Sequence, residues 1–167
     1  IIPTYNEILN IENLIIKISK IQKNCDLLII DDNSPDGTFK IVKKYQIKRK
    51  NIFLIVRKFK NGIGSAHKVG LKWGYKKRYN RIITMDADGT HNPKYIPKLL
   101  RTSKKADLVI TNRFLKKKSI DTWPLLRIII TNIRHLLIKS LLGVPYDASG
   151  AYRCYDPSKV KIKDIIK

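Results

Sequence analysis

The chain has 167 residues, a length typical of one domain, and 43% of them are hydrophobic, enough to bury a sizeable core. Lys and Arg number 35 against 13 Asp and Glu, so the formal net charge of +22 favours anionic partners, although lysine-rich surfaces alone also explain it. Two distant cysteines, Cys25 and Cys154, exclude a disulfide framework and a C-x-x-C metal site. We therefore expect a reduced, cytosolic setting.

Apolar strands alternate with helical patterns along the chain. After the opening strand fragment IIPTYNE, the isoleucines between Ile8 and Ile18 repeat at helical spacing. Further along, Asn92 and Pro93 predict the cap and first turn of a helix that ends near Arg101. Four more short strands are predicted: Asp26–Asp31, Ile52–Val56, Ile82–Asp86 and Asp107–Ile110.

This alternation predicts the fold class. Strands that alternate with helices form an α/β fold, in which a mostly parallel sheet carries helices on both faces. We expect one domain over residues 1–167. Because Ile1 already lies inside an apolar run, we also expect the domain to be truncated at its start.

Acidic residues collect where the predicted strands end. In open parallel sheets, ligands bind beyond the carboxyl ends of the strands. Turn and cap chemistry explains Asp36 and Thr38, but two consecutive acids exceed what a turn needs. A basic chain that gathers its acids in this way predicts a cation or sugar site formed by Glu7, Asp31, Asp32, Asp36, Asp86 and Asp88.

The sequence MDAD supplies the strongest candidate ligands. Asp86 and Asp88 are two residues apart at a strand end, so both carboxylates can face one point. Such oxygen ligands suit Mg²⁺ or Mn²⁺, which completes its shell with water and substrate phosphates. The alternative is that both acids only cap the helix that starts near Pro93.

Six motifs in order carry a family resemblance: IIPTYNE, DDNSPDGT, NGIGSAHKVGLKWG, MDADGTHNP, TNRF and LLGVPYDASGAYRCY. Together they resemble the polyprenol-phosphate mannosyltransferases, inverting glycosyltransferases of the GT-A fold, over nearly the whole chain. PTYNE alone marks only the wider superfamily, whereas DDNSPDGT combined with MDADGTH is specific. The resemblance implies a nucleotide-sugar half in residues 1–100 and an incomplete acceptor half in residues 101–167.

The resemblance also implies roles for individual residues. The nucleotide and its sugar would contact Pro3, Tyr5, Glu7, Ile30, Asp32, Asp86, Ala87, Asp88 and Arg113. The acceptor phosphate would contact Arg113, Arg127 and Thr131, and the metal ligands would be Asp86, Asp88 and Thr90. Asp88, Arg113 and Arg127 would be the catalytic residues.

Two departures from the family pattern matter. Thr90 stands where some relatives have glutamine, so metal coordination would be looser. The chain ends at Lys167, before later basic residues of the family that contact the donor diphosphate. We therefore expect truncation at this end too, with a missing C-terminal segment or a membrane-anchoring subunit as a further partner.

The activity implied is transfer of mannose from GDP-mannose to a polyprenyl or dolichyl phosphate with inversion. UDP-glucose or UDP-aminoarabinose as donor to undecaprenyl phosphate remains an alternative. A phosphate acceptor is largely dianionic near neutral pH and needs little general base, which agrees with interpreting His67, His91 and His135 as structural. A basic nucleic-acid-binding module, the alternative from another class, leaves the strand-end acids unexplained, so we expect no nucleic-acid partner.

The segment Pro124–Leu142 predicts an amphipathic helix at a membrane surface. Its polar residues recur every three to five positions among leucines and isoleucines, and they make a membrane span implausible. A buried helix with a solvated basic stripe has the same periodicity and remains the alternative. We expect peripheral attachment at the cytoplasmic face of a membrane, the endoplasmic reticulum in a eukaryote or the plasma membrane in a prokaryote.

Overall fold

The computed structural model describes residues 1–112, 124–144, 147 and 150–166. Two compact units are present: Ile1–Val109 with the chain from Tyr152 onward, and Ile110–Ala151. The strands are β1 (Ile2–Thr4), β2 (Leu27–Asp31), β3 (Ile52–Val56), β4 (Ile82–Thr84), β5 (Leu108–Ile110) and β6 (Arg153–Tyr155). The helices are α1 (Ile8–Ile21), α2 (Thr38–Lys48), α3 (Ile63–Lys76), α4 (Ile96–Thr102), α5 (Leu125–Leu142) and α6 (Ile162–Ile165), and a 3₁₀ turn, Pro93–Tyr95, precedes α4.

The sheet of the first unit is mostly parallel, as predicted. Strands β1, β2 and β3 pair in parallel, and their register aligns Thr4 with Asp31 and Asp31 with Val56. The Ile1 nitrogen donates to the Ile83 carbonyl (2.7 Å), and the Ile1 carbonyl accepts from the Met85 nitrogen (3.1 Å). These bonds connect the start of β1 to β4, and so link a sheet of order β1-β2-β3 to a second sheet of order β4-β6-β5.

One strand was not predicted. Strand β6 lies between β4 and β5 and pairs with β4 in the antiparallel direction, with Arg153 opposite Thr84. It is only three residues long and begins with a charged residue, so the sequence contains no apolar run that would predict a strand there. Its position matters for function because it lies beside the strand that leads into MDAD.

Apolar residues at helical spacing bury one face of α1 against the sheet. Ile11, Leu14, Ile15 and Ile18 are buried in a core cluster that also contains residues of β2, whereas Ile8 is 37% exposed. Burying one such side chain contributes about 1.5–3 kcal/mol. This packing fixes β2, and with it the loop that carries Asp32.

Two glycines bring α3 unusually close to the sheet. A Cβ on Gly70 would lie 2.4 Å from Ile1 Cγ2 and 2.9 Å from Ile30 Cδ1, and one on Gly74 would lie 2.7 Å from Ile82 Cδ1. Because these glycines are four residues apart, they share one face of the helix. The motif NGIGSAHKVGLKWG therefore packs the backbone of α3 against β1, β2 and β4.

Helix α5 begins and ends as predicted. Pro124 is its N-cap, and Gly143 ends it in the left-handed conformation at φ 64° while its amide donates to the Lys139 carbonyl. Among the described residues, no helix is both long and apolar enough to cross a membrane.

Candidate active site

A cavity of about 310 Å³ opens where β1 and β2 end and where the loop after β4 begins. Seven residues predicted to contact the nucleotide-sugar line it together: Pro3, Tyr5, Glu7, Asp32, Asp86, Ala87 and Asp88. Thr4, Lys60, Ile63 and Ala66 complete the lining. The strand-end acids thus meet in one place, which is what parallel topology requires of them.

Ile30 lies apart from this lining. Its side chain is fully buried and packs in a core cluster with Leu28 and Ala66. A side-chain contact of Ile30 with a base or ribose is therefore not supported by its placement, and the residue instead supports the strand that positions Asp32. Alternation along β2 turns neighbouring side chains to opposite faces of the sheet.

Asp31 serves the turn rather than the cavity, contrary to the expectation from its sequence position. It is fully buried, its Oδ1 accepts from the Ser34 amide (2.8 Å), and its Oδ2 accepts from the Thr4 and Ser34 hydroxyls (both 2.7 Å). Three hydrogen bonds to one carboxylate satisfy most of its lone pairs. Asp31 therefore ties the ends of β1 and β2 together.

Asp36 and Thr38 bond to each other at the start of α2, as turn chemistry predicts, but the N-cap of the helix is Gly37 rather than Thr38. Asp36 Oδ1 accepts from the amide and hydroxyl of Thr38 (2.9 and 2.6 Å), and Oδ2 accepts from the Ile8 amide (3.0 Å). Burial alone would raise the pKa of Asp36, but these hydrogen bonds outweigh it and lower the pKa. Thr38 is the first helical residue, and its hydroxyl accepts from the Glu7 amide (2.9 Å), so the α1 and α2 starts are joined.

Asp32 is paired with a basic residue that the sequence analysis missed. Arg57 Nε donates to Asp32 Oδ1 (2.5 Å), and the Asn61 amide donates to Asp32 Oδ2 (3.3 Å). Both side chains are nearly buried, at 9% and 6% exposure. Arg57 also donates to the Ser65 hydroxyl and the Gly62 carbonyl, and it thereby fixes the loop between β3 and α3 beside the cavity.

Lys60 is a second basic residue that the sequence analysis did not single out. Its ammonium lies 3.8 Å from the centroid of the Tyr5 ring, a cation–π distance. Both residues line the cavity, and Tyr5 is 37% exposed. A cation beside a partly exposed aromatic ring suits an anionic ligand that carries a flat ring. A lysine in the loop that follows a predicted strand was the available signal.

The loop after β4 holds the candidate metal ligands. Asp88 Oδ1 accepts from the amide and hydroxyl of Thr90 (3.0 and 2.7 Å), and Gly89 adopts φ 82°. Asp86 and Asp88 line the cavity, whereas Thr90 is exposed and shapes the turn. The carboxylates offer the hard oxygen donors that Mg²⁺ and Mn²⁺ take, so the residues fit such an ion. No group of three acidic, histidine or cysteine ligands occurs within the described ranges.

Two histidines flank Asp86. His67 Nε2 lies 4.0 Å from Asp86 Oδ1, and burial lowers the pKa of His67 to about 4, so it is neutral near pH 7. The Asp86 amide donates to His91 Nδ1 (2.8 Å). Neither histidine lines the cavity, and this placement agrees with their interpretation as residues that do not react directly.

Comparison with known proteins decides the family. The profile of glycosyl transferase family 2 matches residues 1–160. This chain therefore belongs to glycosyl transferase family 2. The resemblance found from the motifs is confirmed: the chain is 32% identical over 166 residues to the undecaprenyl-phosphate mannosyltransferase of Micrococcus luteus, covering 99% of this chain and 68% of that protein.

Two more curated relatives have related names. The chain is 33% identical over 161 residues to the polyprenol monophosphomannose synthase of Mycolicibacterium smegmatis, covering 93% of this chain and 60% of the relative. It is 34% identical over 136 residues to the dolichol-phosphate mannosyltransferase of Pyrococcus furiosus, covering 78% and 37%. This family 2 chain thus spans between about two thirds and two fifths of the length of these proteins.

A solved structure agrees on the fold. The S. aureus TarS 1-349 complex with UDP-GlcNAc superposes with a TM-score of 0.61 at 19% identity, covering 98% of this chain and 46% of that one. Identity this low supports the architecture only. The predicted GT-A fold, with its mostly parallel sheet and flanking helices, is confirmed.

The predicted acceptor residues belong to other parts of the chain. Arg113 lies outside the described residues. Arg127 and Thr131 lie one turn apart on α5 in the second unit, and Thr131 is buried at 6% exposure. Their contact with an acceptor phosphate stays a prediction.

The leucines and isoleucines of α5 face outward. Eight of them are 45–77% exposed: Leu125, Leu126, Ile129, Ile130, Ile133, Leu136, Leu137 and Leu141. The helix repeat places all eight on one broad arc, opposite the arc that contains Thr131 and His135. A buried helix with a solvated basic stripe would bury these side chains instead, so the exposure of the described residues favours the membrane-surface helix. Contiguous exposed apolar side chains of this kind often mark a surface that contacts a partner or a membrane.

Proposed function

We propose that this family 2 domain transfers mannose from GDP-mannose to a polyprenyl phosphate with inversion at the anomeric carbon. The observation that carries the proposal is the single cavity that gathers Tyr5, Asp32, Asp86 and Asp88 with Lys60 beside them. The names of three relatives that are 32–34% identical support the polyprenyl phosphate acceptor and the mannosyl group.

The donor binds, under this proposal, across the ends of β1 and β2. Tyr5 offers an aromatic face, and Asp32, held by Arg57, offers carboxylate oxygens to ribose or base donors. Lys60 brings positive charge to the same cavity for the diphosphate. Asp86 and Asp88 face the sugar end of the donor, where carboxylates can also accept from hydroxyl groups.

A divalent ion held by Asp86 and Asp88 would neutralise charge on the departing diphosphate. The reaction then requires placement rather than acid–base catalysis, since a phosphate monoester is already mostly dianionic. An acceptor oxygen attacks the anomeric carbon from the side opposite the diphosphate, the new C–O bond forms as the old one breaks, and GDP leaves. We assign Arg113 and Arg127 to gripping the acceptor phosphate, as guanidinium groups bind phosphate bidentately.

We further propose that α5 lies in the membrane interface with its outward apolar arc among the lipids. Exposed leucine and isoleucine over four turns, with Arg134 and Lys139 also exposed, is the composition of a peripheral helix. The phosphate of a membrane-bound polyprenyl phosphate lies at the membrane interface, so a helix in that interface would place the enzyme beside its acceptor.

Donor choice is tested by thermal shift with GDP-mannose, UDP-glucose and UDP-aminoarabinose, each with and without Mn²⁺. A ligand at 100 times its Kd stabilises the folded state by about 2.7 kcal/mol, so the true donor raises the melting temperature. We expect GDP-mannose with Mn²⁺ to give the largest shift. A larger shift with a UDP-sugar would reassign the donor, and no shift with any of them would contradict the nucleotide-sugar site.

The acceptor site is tested with one arginine variant and one lysine variant, whose kinetics are measured with polyprenyl phosphate in vesicles. We expect Arg127→Ala to raise the acceptor KM or lower kcat with donor binding unchanged, and Lys139→Ala mainly to weaken vesicle binding. Unchanged acceptor kinetics in Arg127→Ala would remove α5 from the acceptor site.

A further inference from the structure

The loop that joins the two candidate ligands is closed on itself by a histidine. The Asp86 amide donates to His91 Nδ1 (2.8 Å), so the ring spans the loop from its last residue to its first. Between them, Asp88 accepts twice from Thr90. These bonds restrict the loop before any ligand arrives.

This hydrogen bond defines the state of the His91 ring. Nδ1 uses its lone pair to accept from the amide, so the proton of the neutral imidazole is on Nε2. The separation of 3.6 Å between Nδ1 and Asp86 Oδ2 is therefore not an ion pair. His91 acts on the backbone of Asp86, whose side chain lines the cavity.

The residue directly before β6 packs against the face of the His91 ring. Tyr152 is 2% exposed and stacks on His91 with ring centroids 5.0 Å apart at 27°. The Tyr152 hydroxyl donates to the Asn92 carbonyl (3.1 Å), and the Asn92 side chain in turn accepts from the Lys94 amide. The antiparallel strand thus anchors the end of the loop to the sheet.

From this geometry we propose that His91 and Tyr152 are positioning residues that preset the backbone of the Asp86–Asp88 loop for a divalent cation. The proposal rests on the proposed function, because it needs a cation at these carboxylates. The two residues touch neither substrate nor ion. They act by placing two carboxylates at a fixed separation, which removes the ordering cost that a loose loop would impose on binding.

The test uses substitutions of His91 that remove either its hydrogen-bond acceptor or its aromatic ring and keep the other. His91→Phe keeps a ring for Tyr152 but leaves the Asp86 amide without its acceptor, whereas His91→Asn places an amide oxygen near the position of Nδ1. The matched control is His135→Phe, a half-buried histidine of α5 in the other unit. All are made in the full chain.

The first readout is hydrogen exchange of the Asp86 amide, which requires no ligand. We expect exchange to accelerate at least about tenfold in His91→Phe and to stay close to the parent rate in His91→Asn. Equal protection of the Asp86 amide in His91→Phe and the parent would show that the hydrogen bond to His91 does not restrict the loop, and would overturn the proposal.

The second readout is Mn²⁺ affinity measured by the loss of free-ion electron paramagnetic resonance signal, with GDP present. Groups that orient metal ligands typically affect metal affinity by about 10–100-fold, so we expect His91→Phe to weaken Mn²⁺ binding within that range. His91→Asn and His135→Phe should remain within about threefold of the parent. Equal weakening in both His91 variants would overturn the acceptor role of Nδ1.

The two proposals fail separately. If the parent binds no Mn²⁺ while the exchange pattern holds, the assignment of a cation to this loop fails and the proposed function with it. If the parent binds Mn²⁺ and His91→Phe binds it equally well, only the positioning role of His91 fails.

Discussion

The cavity of the first unit and helix α5 of the second solve opposite problems. Around the cavity, polar groups are paired within the protein: Asp31 with Thr4 and Ser34, and Asp32 with Arg57. On α5, eight leucines and isoleucines are exposed to solvent instead of being buried. One region pairs its polar groups, and the other exposes apolar side chains among the residues that the structure describes.

The two regions differ in which free-energy cost they carry, and each cost points to a different kind of ligand or partner. A buried charge without a partner is costly, and Asp31 and Asp32 both have polar partners within the protein. An exposed apolar arc is also costly, and this cost is removed only when another apolar phase covers it. The predictions below test the pairing of the first region and the exposure of the second.

The largest effect should come from breaking the buried ion pair. Asp32→Ala leaves Arg57 nearly buried without its carboxylate, and losing one member of such a pair costs about 3–5 kcal/mol. Urea unfolding measures this loss. The double variant Asp32→Ala/Arg57→Ala should recover part of the stability, because no unpaired charge remains.

The same variants separate pairing from nucleotide binding. Asp32→Ala should weaken GDP and GDP-mannose by similar factors, since the sugar is not involved. Weakening of GDP-mannose alone would move Asp32 to the sugar pocket, and full additivity of the two substitutions in stability would contradict the ion pair.

Asp88→Asn should give the next largest effect, on binding rather than folding. Asp88 is exposed and bonds only within its own loop among the contacts described, so the fold should persist. A direct ligand should matter at least as much as the groups behind it, so we expect Mn²⁺-dependent donor binding to fall by about 100-fold or more. Calorimetry with and without Mn²⁺ measures this.

Asp107→Asn is the control for that experiment. Asp107 is another exposed carboxylate of the first unit, paired only loosely with Lys159 at 3.3 Å, and its substitution should leave Mn²⁺ dependence unchanged. The metal assignment is wrong if Asp88→Asn and the parent depend on Mn²⁺ equally.

The fold class could be predicted from the sequence because periodic apolar residues identify helices and strands without knowledge of tertiary contacts. The strands through β5 and the helices α1, α4 and α5 were predicted from such periods, and MDAD was placed at a strand end. The three-residue β6 was not, because a strand that begins with Arg153 and is stabilised by its neighbours has no local signal.

The site was less predictable where long-range contacts decide a side chain's role. Asp31 and Asp32 look equivalent in sequence, yet alternation along β2 turns one toward Thr4 and Ser34 and the other toward Arg57. Tyr152 and His91 are 61 positions apart and meet only because β6 pairs with β4. Neither contact can be predicted from the spacing of residues along the sequence.

A smaller effect should follow from filling the close approach of α3. Gly70→Ala pushes a methyl group against Ile1 and Ile30, and overpacking of this kind costs about 1–3 kcal/mol. Gly64→Ala in the same helix meets open space, so removing a helical glycine should stabilise by about 0.5–1 kcal/mol. Opposite signs in urea unfolding are expected; the same sign for both would contradict the close packing.

The smallest effect is expected on α5, where the comparison is sharpest. Ile133→Ser and Leu136→Ser each remove an apolar side chain that is 53% or 65% exposed, so folding stability should hardly change. If the arc inserts among lipids, each loss should reduce partitioning into zwitterionic vesicles roughly tenfold. Burying a whole side chain of this kind gains about 1.5–3 kcal/mol, and only the exposed half to two thirds of each one can be newly buried. Leu9→Ser is the matched control, because Leu9 is 91% exposed but lies on α1 of the first unit, outside the α5 arc. Vesicle co-sedimentation measures all three. Equal partitioning of the α5 variants and the Leu9 variant would mean that the outward arc is covered by something other than lipid.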